Sequence, residues 1–388
     1  MILTASPISK LKSRKKRRAL AVSAGGLQSG IQALYLGLTN DDWEIYSTAF
    51  LPYPQKVADL MERFSEAQSP AALPDFGWLD YKISTLFVEC AKNALAGAPK
   101  AIGEPHYATL NKPTLWKGET GEGLQQTNWD IPVGDELYAA SALGIPVMSG
   151  FLRHNILAGG PGALPAFPGI LAAARDTTGI GLFVNIGLVS RMAAVDKTAE
   201  KLLFESDIGP GTAIIDKCAR ATGCPEGFDR DGKAASQGTP NAECLEILSA
   251  DQWIQKPAPK QAIPEIFTHL LSHPCLKPLN NTDRLATITA LTAKSIYDFY
   301  RREYREPAQP ETLWISGGGS NNLALADFLK ASFDPIPVRS VEELNIPSDM
   351  MVPLTLGLTV DAFICGKSIP WETGDHPKIE PIGRWAMP

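Results

Sequence analysis

Basic residues are in deficit. The 388-residue chain has 36 lysines and arginines against 42 aspartates and glutamates, a formal net charge of −6. No basic surface of the extent that nucleic acid needs is implied. Long apolar runs are missing as well. None approaches the roughly 20 residues that span a bilayer, and residues 1–18 lack the apolar stretch of a secretory signal. Neither nucleic acid nor membrane is therefore expected as a partner. Cysteine is sparse and unpatterned: Cys90, Cys218, Cys224, Cys244, Cys275 and Cys365 show no CxxC and no metal-ligand spacing. That predicts reduced thiols in a cytoplasmic protein rather than a disulfide framework. His269 and His273 stand four apart, but no carboxylate at a suitable spacing joins them, so they read as helix surface and not as a metal site. The length is enough for two lobes with ample core.

What recurs instead is glycine at the ends of apolar runs. Lys201–Glu205 reads as a strand, Gly209-Pro210-Gly211 as a turn, and a helix starts at Thr212. Gly209 and Gly211 let backbone approach a ligand, and the N–H groups of a first helical turn suit phosphate. Asp207, at the strand end, is placed to hold a metal ion or a hydroxyl. Taken alone, the stretch reads more readily as a tight turn with a capping aspartate. A second junction, Leu313–Asn322, holds Gly317-Gly318-Gly319, which is costly after a strand unless a backbone or ligand comes close. Gly181–Gly187 and Ala19–Gly26 are a third and a fourth. Four such junctions predict an α/β protein whose strand ends converge on a nucleotide.

In chain order, residues 1–18 carry Lys10, Lys12, Arg14, Lys15, Lys16, Arg17 and Arg18 and read as a solvated tail. Strands are expected at Ala19–Ser23, Ile31–Thr39 and Trp43–Leu51, with Gly25 and Gly26 in the first turn. A glycine-turned hairpin is not a Rossmann start, where a helix follows the first turn. It is how an actin-like, or sugar-kinase-like, ATPase lobe begins, with the turn over the phosphates. Helices follow at Pro54–Glu66 and Phe76–Ala96, the second with apolar residues at helical spacing. Ala101–Ala108 reads as a strand entering a polar loop, with His106 as a base, a substrate contact or an incidental loop residue. Gly118–Thr127 reads as a loop, Asp130–Asp135 as a strand and turn, and Pro146–Ser149 as a strand. The Gly/Pro-rich run near residue 165 sets the boundary between lobes 19–165 and 166–388. Asp283–Tyr304 and Val352–Ile364 are expected helices.

These residues carry a family resemblance. Asp207-x-Gly-Pro-Gly…Asp216, Phe228-Asp…Gly232…Ala235…Gly238, Ala286–Thr292, Gly317-Gly-Gly-Ser-Asn-Asn322 and Pro370-Trp-Glu-Thr-Gly374 resemble the anhydro-N-acetylmuramic acid kinase family of the actin-like superfamily, from Ala19 to the end. The resemblance implies a two-lobed α/β actin-like (sugar kinase) fold with a central cleft, ATP with Mg²⁺ as cofactor, and a homodimer. It implies a reaction in which water opens a 1,6-anhydro ring and O6 is phosphorylated, with a carboxylate as general base. Cell-wall amino-sugar recycling is the implied setting, and a sister branch uses an anhydro-glucose. The nucleotide-binding positions it implies are Gly25, Gly26, Asn185, Gly187, Gly209, Gly211, Gly317, Gly318, Gly319 and Asn322. His106, Asp135 and Arg153 fall to substrate, and Asp207 to metal.

At other positions the chain departs from the family. Ser29 and Gln32 stand where its first phosphate loop has aspartates. Gly150 stands at the position of its general base and Asn155 at that of a second aspartate. A general base contributes typically 10²–10⁴ in rate, and glycine supplies none. His154, one helical turn beyond Gly150, is a possible substitute, as are Glu104, His106 and Asp135. Three readings follow: a sugar kinase with an altered site, a pseudokinase that binds nucleotide and a protein partner, and a binding module without nucleotide.

Overall fold

The apolar runs bounded by glycine become the strands of two sheets in a computed structural model that describes residues 7–25, 29–40, 42–65, 72–120, 127–158, 160, 162–164, 166–224, 226–367 and 382–388. The chain divides into two compact units, Met1–Ala173 with Val352–Pro388, and Ala174–Met351.

In the first unit, β1 (Arg17–Ala24), β2 (Gly30–Leu38) and β3 (Trp43–Pro52) form an antiparallel meander. Next to β1 runs β4 (Tyr107–Asn111), parallel to it. A separate hairpin of β5 (Thr114–Thr120) and β6 (Thr127–Pro132) follows. The sheet then continues with β7 (Val147–Ser149), parallel to β4. In the second unit, β8 (Ile180–Ile186), β9 (Val189–Asp196) and β10 (Lys201–Pro210) repeat the meander. Two parallel strands, β11 (Thr312–Ser316) and β12 (Val338–Ser340), extend it from β8. A last strand, β13 (Arg384–Ala386), returns to the first sheet antiparallel to β7. The sheet orders are β13-β7-β4-β1-β2-β3 and β10-β9-β8-β11-β12. Each unit is thus a three-stranded meander continued by parallel strands, the α/β actin-like plan used twice.

Each sheet buries its own helices. Helix Leu73–Gly97 has Pro74 in its first turn and presents Leu79, Ile83, Leu86, Phe87, Cys90 and Ala94 to the first sheet at three- and four-residue spacing. Every such large side chain contributes about 1.5–3 kcal/mol on burial. In the second unit, helix Asn281–Glu303 buries Leu285, Ile288, Leu291, Ile296 and Phe299, the residues its periodicity singles out.

Several sequence expectations give way. The boundary expected near 165 falls at 173, and residues 352–388 belong with the first unit rather than the second. Long-range pairing is the reason: Asp361, on helix Met351–Ile364, pairs with Arg17 of β1 at 2.5 Å. Arg17 is therefore no part of a solvated tail, being fully buried. The strand expected over 101–108 starts only at Tyr107, after a short 3-10 turn at Lys100–Ile102. Of the loop expected at 118–127, residues 118–120 and 127 belong to β5 and β6, and residues 121–126 lie outside the described residues. Cys244 and Cys275 form a disulfide, contrary to the expectation of six free thiols, because helix Ala242–Ser249 and the turn Pro274–Leu276 bring their Cα atoms to 5.4 Å, a bridgeable separation. His269 and His273 do not share a helix face: the 3-10 segment ends at Ser272, His269 Nε2 lies 2.9 Å from Asp251 Oδ2, and His273 Nδ1 accepts from the Cys275 N–H. Among the described residues no helix is long and apolar enough to cross a membrane.

Candidate nucleotide and acceptor sites

In the second unit, β8 and β11 run parallel with Asn185 opposite Ser316. The Ser316 hydroxyl lies 3.4 Å from Asn185 Oδ1. Just past these strand ends the chain turns at Gly187 and at Gly317–Gly319, so the structure brings Asn185, Gly187, Gly317, Gly318 and Gly319 together. The Gly317 N–H donates to the Ser348 carbonyl at 2.7 Å, and Gly319 is buried against Ile186. Gly318 is exposed, and a Cβ added there would meet nothing within 4 Å. Open backbone at the carboxyl ends of parallel strands is where this class of sheet receives ligands. Asn322 serves the fold instead, since its Oδ1 accepts the Leu325 N–H at 3.0 Å and caps helix Leu323–Phe333.

The Gly209-Pro210-Gly211 stretch departs from the phosphate reading. Strand β10 runs through Pro210, and Gly209 lies against Ser295. A Cβ on Gly211 would sit 2.1 Å from the Gly187 carbonyl oxygen, so glycine is required by the approach of two backbones, not by a ligand. The N–H groups of Gly211, Thr212 and Ala213 donate to the carbonyls of Leu188, Gly187 and Leu188 at 3.0, 2.8 and 3.3 Å. The donors that an anion would need are occupied.

Asp207 does not suit a metal either. It lies inside β10 opposite Arg191, accepts from Arg191 Nη1 at 3.2 Å and from the Ala262 N–H at 2.8 Å, and is buried. Arg191 also reaches Glu205 at 2.9 Å. Burial pushes the Asp216 carboxyl up to about 6. Among the described residues no group of three or more His, Cys, Asp or Glu is placed to hold a metal ion.

In the first unit the carboxyl ends of β1, β4 and β7 lie along one edge, at Ala24, Asn111 and Ser149. Gly25 closes the first hairpin, its N–H donating to the Gly30 carbonyl at 2.8 Å; Gly26 lies outside the described residues, as does the Pro370–Gly374 motif. Beside the ends of β4 and β7 is a hollow of about 120 Å³ whose walls include Lys112, Asp130, Gly150, Arg153, His154 and Arg384. Gly150 adopts φ +78°, ψ 25°, a left-handed conformation that glycine enters freely. Its carbonyl accepts from the ring of His154 at 3.1 Å. A carbonyl can only accept, so Nδ1 is the donor of this pair. Arg153 Nε donates to Asp130 at 3.1 Å, and Lys112 Nζ donates to Glu136 at 2.8 Å. Arg384 Nε donates to the other Glu136 oxygen at 2.5 Å. Burial alone would raise the Glu136 carboxyl, but the hydrogen bond and charge of Lys112, with Arg384 behind them, hold it below its ordinary value.

Of the residues assigned to substrate, only Arg153 lines this hollow. His106 precedes β4, at the opposite end of the strand, and its Nδ1 accepts the Arg18 N–H at 3.1 Å. Asp135 caps helix Glu136–Leu143, accepting the Leu137 N–H at 2.7 Å. Asn155 is buried and holds a loop, accepting the N–H groups of Gly162 and Ala163 at 2.8 Å each. Sequence reasoning missed Lys112, Glu136 and Arg384. Lys112 follows directly on the end of β4, a readable position. Arg384 is brought in by β13 from far along the chain and carries no local signal.

Two α/β units of the actin-like plan give the chain the fold shared by actin-like ATPases and sugar kinases. A family model described as anhydro-N-acetylmuramic acid kinase matches residues 17–373, and the chain belongs to that family. Proteins named anhydro-N-acetylmuramic acid kinase from Salinibacter ruber and Streptomyces coelicolor are 25% and 30% identical to it, over 97% and 79% of this chain and 98% and 76% of theirs. Solved structures that it is similar to include the activator of the 2-hydroxyisocaproyl-CoA dehydratase from Clostridium difficile, with bound ADPNP (TM-score 0.45, 9% identity, 89% of this chain and 95% of that one). Another is a ROK family glucokinase from Streptomyces griseus in complex with glucose and AMPPNP (TM-score 0.40, 12% identity, 89% and 98%).

Proposed function

We propose that the chain is an anhydro-N-acetylmuramic acid kinase-like protein that binds ATP and an anhydro amino sugar but performs the family phosphorylation weakly or not at all. The observation that carries this reading is Gly150. It lines the hollow, and by the family resemblance it takes the position of the general base, where glycine supplies no side chain. The open backbone at Gly318 supports nucleotide binding. The occupied amides of Gly211, Thr212 and Ala213 and the ion-paired Asp207 do not fit a phosphate–Mg²⁺ cradle at those residues, so no catalytic role is assigned to them.

A second reading keeps some chemistry. His154 lines the same hollow, and with its Nδ1 hydrogen-bonded to the Gly150 carbonyl its Nε2 is the ring nitrogen left to take a proton from a bound hydroxyl or water. Turnover by the unaltered chain that falls sharply in His154→Gln would favour it.

The test is a phosphorylation assay with ATP–Mg²⁺ and a 1,6-anhydro amino sugar. Gly150→Asp is expected to raise turnover over the unaltered chain by about 10²-fold or more, the scale of a general base. Brisk turnover by the unaltered chain, not increased in Gly150→Asp, would overturn the proposal.

A further inference from the structure

A second hollow, of about 410 Å³, lies within the second unit. It sits at the amino ends of β11 and β12, beside the last turns of helix Asn281–Glu303 and helix Leu323–Phe333. Gly317–Gly319 follow the opposite end of β11, so a molecule held here does not meet that open backbone. Tyr297, Tyr300 and Tyr304 line the hollow at three- and four-residue spacing, and Phe333 lines it from the other helix. The ring of Tyr300 is centred 5.3 Å from that of Phe333 and 5.4 Å from that of Tyr304, and Tyr297 is centred 5.2 Å from Phe333. Together the rings make a continuous aromatic wall, and the volume is that of a site for a small organic molecule.

Core packing accounts for these rings but not for the Tyr300 hydroxyl. Tyr300 is only 9% exposed, yet its hydroxyl makes no hydrogen bond to a described residue and is not sealed from solvent. What stays open of this side chain faces the hollow that it lines. The Tyr304 hydroxyl, by contrast, donates to the Ala308 carbonyl. Burial raises both phenols, Tyr304 to about 12, so the Tyr300 hydroxyl stays neutral at pH 7 and can both donate and accept. Buried polar groups normally have partners, and here the hollow is where one would sit. The rim disfavours an anion. Glu306 and Asp334 are exposed carboxylates against the single guanidinium of Arg301. Both helices also end here, with the negative ends of their dipoles toward the hollow.

We propose that this hollow binds a small planar aromatic molecule without negative charge, its ring against the tyrosine wall and its polar edge on the Tyr300 hydroxyl. The aromatic class is specified by the wall, since rings attract a further ring through stacked and edge-on contacts. The polar edge is specified by the unpaired hydroxyl, and the charge by the carboxylates and helix ends. The site stands apart from the kinase reading: it shares no residue with the glycine backbone at the other end of β11 or with the hollow beside β4 and β7.

The probes are tryptamine, tryptophol and indole-3-acetate, which share one ring system and carry a positive, a neutral and a negative side group at pH 7. Each is titrated into the full-length protein by isothermal calorimetry at fixed ionic strength, with and without AMPPNP. Saturable binding of tryptamine and tryptophol is expected, unchanged by AMPPNP, with indole-3-acetate weaker by about tenfold or more. Tyr300→Phe keeps the ring and should weaken tryptophol about fivefold, the scale of one hydrogen bond. Its thermal midpoint should match that of the unaltered chain, which separates a lost contact from misfolding. Tyr297→Leu should weaken tryptamine and tryptophol by about three- to tenfold, the scale of an aromatic pair. Glu306→Gln combined with Asp334→Asn should narrow the gap between tryptamine and indole-3-acetate. No saturable binding of tryptamine or tryptophol, displacement of either by AMPPNP, or undiminished affinity in both Tyr300→Phe and Tyr297→Leu would overturn the proposal.

Discussion

Burial and neighbouring cations decide the charge of His106. Its ring is desolvated and stands near Arg14, Arg18 and Arg17, and together these lower its pKa to about 4. The ring is neutral in the folded protein at pH 6, whereas the unfolded chain takes up a proton there. The unfolded state therefore binds more protons between about 6.5 and 4, and stability falls as pH drops through that window. We predict that His106→Asn has a urea midpoint that declines less than that of the unaltered protein between pH 6.5 and 4.5. Parallel decline of the two would show that His106 is not responsible. The same side chain shows a limit of residue-level reading. A histidine in a polar loop resembles a substrate contact, yet its Nδ1 is engaged by the Arg18 N–H, a partner 88 positions away in the sequence. Asp207 escapes local reading for a related reason. Its ion pair with Arg191 follows from the antiparallel register of β9 and β10, which no local pattern discloses.

At the level of elements, strand-to-glycine junctions were legible and their occupants were not. The four junctions do fall at strand ends, because glycine marks where two backbones or a backbone and a ligand must come close. The choice between those causes lies in tertiary packing. At Gly318 the exposed backbone faces open space, whereas at Gly211 the space is filled by the Gly187-Leu188 turn. The hollow was half legible: Gly150, Arg153 and His154 stand in one short segment, but Arg384 and Glu136 come from elsewhere. Helix Met351–Ile364 offers a stability test at this scale. Its Asp361 is the acceptor for buried Arg17 and for the Tyr107 hydroxyl at 3.2 Å. Asp361→Ala leaves a guanidinium buried without its charge partner and should cost about 3–5 kcal/mol in chemical denaturation. The double substitution Arg17→Met with Asp361→Leu should cost much less, since it removes both charges together. Equal losses in the two proteins would place the effect in packing rather than charge.

For the whole molecule, the two units differ in how they draw on the chain. Residues 174–351 are contiguous and carry their own sheet and core. Residues 1–173 lack Asp361, which neutralises Arg17, and β13, which borders β7. We predict that a fragment of residues 174–351 gives a cooperative thermal transition by circular dichroism, whereas residues 1–173 alone do not. A cooperative transition from the shorter fragment would show that Arg17 can be accommodated without its partner.

The return of residues 352–388 to the first sheet also sets an order of events during synthesis. The ribosome finishes every residue of the second unit before it makes the helix and strand that complete the first. The half of the chain that emerges earlier must wait for its closing segment, with buried-to-be Arg17 still in water, while the half that emerges later can settle at once. A holding chaperone would therefore find its natural substrate at the amino-terminal end of the nascent chain, and a truncated message would yield one sound unit and one unfinished one.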